Sequence, residues 1–144
     1  MRTSLLRIWI TAIIATTSLS AAAEYDLTNL QEALQAHKDS WINKDPALLV
    51  KTSHFPNTQF YPNGRTVVLQ TEADSPDISN YPKDIKMPSS EMVLQDKNIA
   101  IVRVYFEETA PDGEKDTSSG LWCFNRLEGE WKVLWRQFLG SDSP

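Results

Sequence analysis

The chain has 144 residues, 14 basic and 19 acidic side chains and a net charge of −5. That length suits one domain, and an acidic balance with no basic stripe argues against nucleic acid and anionic membrane surfaces as partners. Cys123 is the single cysteine, which excludes an intramolecular disulfide, and the two histidines, His37 and His54, stand too far apart for metal-ligand spacing. No metal or other cofactor is therefore expected.

The first 23 residues read as a secretory signal. Arg2 and Arg7 are the only charges before Glu24, Ile8 to Ser18 is apolar with small hydroxyl residues, and Ala21-Ala22-Ala23 supplies the small residues of a cleavage site. The apolar run is shorter than the ~20 residues that span a bilayer. Cleavage before Glu24 would leave a single domain, residues 24–144, with 12 basic and 19 acidic residues and a net charge of −7. The expected destination is the periplasm or the exterior, with no membrane association after cleavage.

Leu27 to Asn43 is the best helix of the mature part. Leu27, Leu30, Leu34, His37 and Trp41 recur at spacings of three and four and share one stripe. Asp26 or Thr28 can cap its start, and Thr28 with Gln31 fits a capping box. Asp45-Pro46 then opens a short helix, Ala47 to Ser53. Pro62-Asn63-Gly64 reads as a hairpin turn between strands Thr58–Tyr61 and Arg65–Gln70. Thr71 to Pro88, with three prolines, reads as a loop or a broken helical turn. Loops of this length in compact domains are often lids or binding loops.

From Ser89 to Leu139 the pattern changes to a meander of four strands. Ile99–Thr109 places Ala100, Val102, Val104 and Phe106 on one face. Thr117–Arg126 and Glu130–Leu139 alternate likewise, and Ser90–Gln95 is a shorter run. Strict alternation puts Trp131, Val133, Trp135, Gln137 and Leu139 on one face of the last strand, and Lys132, Leu134, Arg136 and Phe138 on the other. Turns as short as Asp96-Lys97-Asn98, Pro111-Asp112-Gly113 and Glu128-Gly129 force antiparallel pairing. Both faces of the last two strands carry bulky apolar groups, so one face is expected on the helices and the other partly covered, for instance by a second subunit.

This order of elements, with Trp41-Ile42-Asn43-Lys44-Asp45-Pro46 at the helix junction, Pro111-Asp112-Gly113 between long strands and Gly129-Glu130-Trp131-Lys132-Val133 in the last hairpin, resembles the nuclear transport factor 2-like superfamily. The likeness is to its SnoaL-like, ketosteroid-isomerase-like members and covers nearly the whole mature chain. It implies an α+β fold in which a curved antiparallel sheet wraps a long N-terminal helix into a cone, an apolar pocket within, and often a homodimer through the outer sheet face. Members include enzymes, transport factors and proteins of no known activity, so the likeness implies little about function.

His37 is the candidate acid or base, since a histidine near the helix stripe can exchange protons at neutral pH. The bland alternative is a buried histidine bonded to a neighbour. His54 reads as a cap on the carbonyls of the short helix. Trp41, Tyr61, Trp122 and Trp135 are the candidate aromatic wall for a flat apolar ligand, or simply core. Arg103 and Tyr105, two apart on one strand face with Arg136 on a neighbouring strand, are either an anion-binding set or an outer face covered by arginine stems. No strand carboxylate lies on an apolar face as a steroid-isomerase base requires. The expectation is a binding domain for a small apolar or amphipathic molecule; an isomerase-like enzyme using His37 and a non-catalytic interaction protein are the alternatives.

Overall fold

The structure, a computed structural model, describes residues 24–141. The signal segment read over residues 1–23 lies outside them.

Helix α1 runs Leu30–Ile42. It starts later than the periodicity suggests because Asn29 is its cap. The Asn29 side chain accepts from the Gln31 and Glu32 amides, while Thr28 bonds back to Asp26. The expected Thr28–Gln31 capping box is therefore absent. Helix α2, Pro46–Lys51, is capped by Asp45 accepting from Leu48 N, with Pro46 at the first turn where no amide is needed.

Six strands follow: β1 (Ser53–Phe60), β2 (Thr66–Leu69), β3 (Asp84–Gln95), β4 (Ile99–Thr109), β5 (Lys115–Leu127) and β6 (Glu130–Ser141). They form one sheet in the order β2-β1-β6-β5-β4-β3. The hairpins pair antiparallel as their turns require, but β1 lies parallel to β6, Thr58 opposite Trp135 and Gln59 opposite Arg136. Parallel pairing is possible here because the whole chain from β2 to β5 intervenes. The fold is thus α+β with a mixed six-stranded sheet.

One face of this sheet packs on α1. Ala33 and Ala36 are fully buried and, with no bulk beyond Cβ, let the helix approach. Leu30 and Leu34 meet Val102, Val104, Trp122, Phe124, Trp131 and Val133 in one core. Each large side chain so enclosed contributes about 1.5–3 kcal/mol of transfer free energy.

Two departures from regular alternation position the site. In β6, Phe124 pairs with Val133 but Cys123 with Trp135, so Leu134 is an extra residue. This bulge flips the strand's phase. Trp131 and Val133 face α1, and beyond the bulge it is Arg136 and Phe138 that do so. Trp135, opposite Cys123, faces outward. The second departure is β3. It begins at Asp84, six residues before the expected Ser90, within the stretch read as a loop. Only a single 3₁₀ turn, Glu72–Asp74, precedes it. Pro88 is tolerated because β3 is an edge strand and its register with β4 shifts between Lys86 and Ser89.

Candidate functional site

The helix fills the sheet's concave face at one end and leaves the other end open. There the C-terminal turn of α1, the segment before β3 and the ends of β4, β5 and β6 surround a pocket of about 280 Å³. Trp41 lies on the helix side and Tyr61 beyond the end of β1. Tyr81, Ile85 and Met87 come from the stretch read as a loop. Phe106 and Trp122 come from the floor of the sheet, Arg136 and Phe138 from β6. The hollow around Asn29, Gln95 and Arg126 lies at the opposite end of the helix and is far more open.

The walls are held by ring packing. Tyr61 stacks on Phe138 with centroids 5.0 Å apart, and Tyr81 meets Trp41 edge-on at 6.4 Å. Phe106 tilts against Trp122 at 5.9 Å. Such pairs fix ring orientation and add about 0.5–1.5 kcal/mol each beyond burial. Tyr61 donates to Gln59 Oε1 at 2.8 Å, which turns its hydroxyl away from free rotation.

Two charged groups share the lining. Glu108 accepts from Tyr81 Oη at 2.8 Å and from Lys83 Nζ at 2.9 Å, so both its oxygens are engaged. Burial and this carboxylate together push the Tyr81 phenol up to about 12. Arg136 is only 3% exposed. Its guanidinium lies 5.1 Å over the Trp41 ring. Loss of solvent pulls its pKa down to about 10. Arg136 Nε and Trp41 Nε1 are buried donors without an acceptor.

His37 does not line the pocket. It is wholly buried one helical turn behind Trp41, edge-on to Trp122 at 4.7 Å. Its Nδ1 lies 2.7 Å from Thr52 Oγ1, and the Thr52 hydroxyl donates to Leu48 O at 2.9 Å. Since that hydroxyl has one proton, His37 Nδ1–H donates to Thr52 and Nε2 is the unprotonated nitrogen, without a partner. Burial foremost, then the Arg136 charge, holds the imidazole pKa well below its usual value. His54 is not a helix cap. It belongs to β1 and reaches the Asn125 carbonyl through Nε2 at 3.2 Å.

Of the candidate wall residues, Trp41, Tyr61 and Trp122 come together at the pocket. Arg103, Tyr105 and Trp135 lie on the opposite, convex face. Arg103 covers the Tyr105 ring at 5.4 Å and reaches Ser119, and Trp135 meets Phe60 at 6.2 Å. Arg103 and Tyr105 follow from the alternation of β4, whose Val102 and Val104 are core. Trp135 is displaced by the bulge, which no residue type announces. Sequence reasoning passed over Tyr81, Ile85, Met87, Phe106 and Phe138 as site residues. The alternation of Ile85 and Met87 was the available signal, obscured by Pro82 and Pro88. Among the described residues no group of three or more His, Cys, Asp or Glu side chains could hold a metal ion.

No family model matches the sequence, and no curated protein matches it. Solved structures do. An uncharacterized protein with a cystatin-like fold from Caulobacter vibrioides aligns at TM-score 0.63 and 13% identity, over 79% of this chain and 87% of that one. A ketosteroid isomerase-like protein from Erwinia carotovora atroseptica aligns at TM-score 0.59 and 16% identity, over 82% and 97%. The association domain of the C. elegans CaMKII aligns at TM-score 0.59 and 15% identity, over 75% and 90%. The architecture is therefore the cone fold of the nuclear transport factor 2-like and cystatin-like proteins. At these identities the likeness speaks to fold, and function has to be argued from the site.

Proposed function

We propose that the chain is a binding domain for a small amphipathic molecule, held in the pocket at the open end of the cone. The observation that carries this is the aromatic wall around about 280 Å³ of space, with two polar groups at fixed places. Ligand sites are typically such apolar clefts with few polar anchors, and this volume lies just below their usual range of about 300–1,000 Å³, so the ligand is small. Binding is favoured over an isomerase-like activity by the state of the acid–base candidates. Glu108 is committed to two donors, and His37 is shut behind the pocket wall.

A thermal-shift panel of small neutral and charged aromatic and aliphatic compounds tests this. A ligand present at a hundredfold excess over its Kd stabilises by about 2.7 kcal/mol, a rise of several degrees. Ser118→Phe, which places a ring into the lining, should abolish the shift while leaving the circular dichroism spectrum intact. If no compound in the panel shifts the transition, the binding reading fails.

The domain is further proposed to be exported and homodimeric. Export is supported by the basic, apolar and small-residue order of residues 1–23, and an intact mass beginning at Glu24 is its test. Dimerisation is supported by the convex face, where Leu94 and Ile99 are 47% and 44% exposed beside half-buried Ile101.

A further inference from the structure

Arg136 poses a question the fold does not answer. A guanidinium removed from water is costly unless it is paired, and evolution rarely leaves one in a core without a counter-charge. Among the described residues Arg136 makes no salt bridge, and its Nε finds no acceptor. The cation–π contact with Trp41 does not substitute for a partner. A ring face attracts the guanidinium through its flat side, and the N–H donors lie in the guanidinium plane, directed outward from its edge. Trp41 Nε1–H, on the same wall, is likewise buried without an acceptor. The acid that shares the lining is engaged elsewhere, by Tyr81 and Lys83. His37, close enough to feel the Arg136 charge, responds by staying neutral and offers no compensation. With burial pulling it to about 10, Arg136 still carries its proton at neutral pH.

Arg136 and Trp41 both line one pocket whose other walls are mainly rings and aliphatic chains, with Glu108 and Ser118 among them. We propose that the ligand is a monocarboxylate with an apolar body. Its carboxylate takes the planar fork of Arg136 and the Trp41 Nε1–H, and its body lies among Met87, Phe106 and Phe138. A guanidinium fork matches the two oxygens of a carboxylate in geometry and charge. One cation matches one negative charge, and Glu108 on the lining repels a second, which disfavours dianions such as phosphate esters. The proposal rests on the binding reading above and sharpens it to a chemical class.

The test is isothermal titration of the purified protein with two isosteric pairs, cinnamate with cinnamamide and octanoate with octanamide. An acid should bind about 10- to 100-fold more tightly than its amide, the span expected for a charged hydrogen-bonded contact. Arg136→Met should erase that preference and raise the melting temperature of the ligand-free protein, because it replaces an unpaired buried charge with an apolar chain of similar length. A structural role predicts the opposite, a lower melting temperature. Should Arg136→Met not fold, Trp41→Phe, which keeps a ring and removes one donor, should lower the affinity of the acid by a larger factor than that of its amide, and an equal loss for both would overturn the assignment. Amides that bind as well as acids overturn the carboxylate assignment and leave the binding reading standing. No binding by any of the four overturns the carboxylate assignment, and a silent thermal-shift panel beside it overturns the binding reading as well.

Discussion

Replacing His37 with glutamine removes a group that the fold keeps uncharged. The imidazole is fully buried, its Nδ1–H is spent on Thr52, and no carboxylate contacts it. Both burial and the nearby Arg136 charge disfavour a second proton, so the folded-state pKa lies well below 6.5. In the unfolded chain the same side chain titrates near its ordinary value of about 6.5. Below that pH the unfolded state binds a proton that the native state refuses. The stability present above about pH 6.5 is then lost on acidification, at up to about 1.4 kcal/mol per pH unit, until the folded pKa is reached. Even one pH unit of that loss is a noticeable share of the roughly 5–15 kcal/mol typical of a domain. His54 is also lowered by burial and acts with the same sign, but it is partly exposed and its share is smaller. Asp26, Asp74 and Asp77 are lowered by hydrogen bonds from Thr28, Thr71 and Ser79, so their contribution disappears only below the usual carboxylate range. Urea unfolding of the parent, His37→Gln and His54→Gln between about pH 7 and pH 5 reads the slopes directly. The parent and His54→Gln should lose stability steadily on acidification, and His37→Gln should lose most of that dependence whatever its absolute stability. An unchanged slope in His37→Gln would refute the reasoning.

Asn29→Ala should cost about 1 kcal/mol by removing the acceptor for two amides of α1, whereas Thr28→Ala should stay within about 0.5 kcal/mol. Equal costs in chemical denaturation would reassign the cap. Gly120→Ala would place a Cβ 2.9 Å from the Gln137 carbonyl oxygen and 3.3 Å from Phe106 Cε2. The carbonyl belongs to the paired strand and cannot swing away, so about 1–3 kcal/mol of destabilisation and a melting point lower by several degrees are expected; an unaltered melt would show that β5 and β6 part easily there. For the homodimer, sedimentation velocity should give twice the mature mass, and Ile101→Glu, which puts a charge on the convex face beside Ile99, should give monomers. A parent that sediments as a monomer at micromolar concentration ends the dimer proposal.

The helices and the three long strands β4–β6 were legible because each is written by a single periodicity. Leu30, Leu34 and His37 recur at helical spacing, and Ala100, Val102 and Val104 at strand spacing, so physics and pattern coincide. What stayed hidden depends on non-local partners. β3 carries Pro88 and an exposed outer half, and it is a strand because β4 offers it an edge. The parallel β1–β6 pairing joins residues far apart in sequence. The pocket suffered most from one local event. Period-two counting put Trp135 on the face of Trp131 and Val133 and Arg136 on the other, and an extra residue at Leu134 exchanged them. Trp41, Tyr61 and Trp122 were found because bulky aromatics on a helix stripe or a regular strand need no bulge to place them.

That exchange at Leu134 gives the last strand a kind of vernier. A one-residue insertion just after it, with the bulge retained, would carry the downstream stretch one place along the partner strand and offer an indole, not a cation, to the cavity, with the hairpin and strand order untouched. Chemistry of the chamber and architecture of the shell are thereby set by separate features of the same strand. A lineage could retune what the chamber accepts by length changes alone, without first discovering a new side chain.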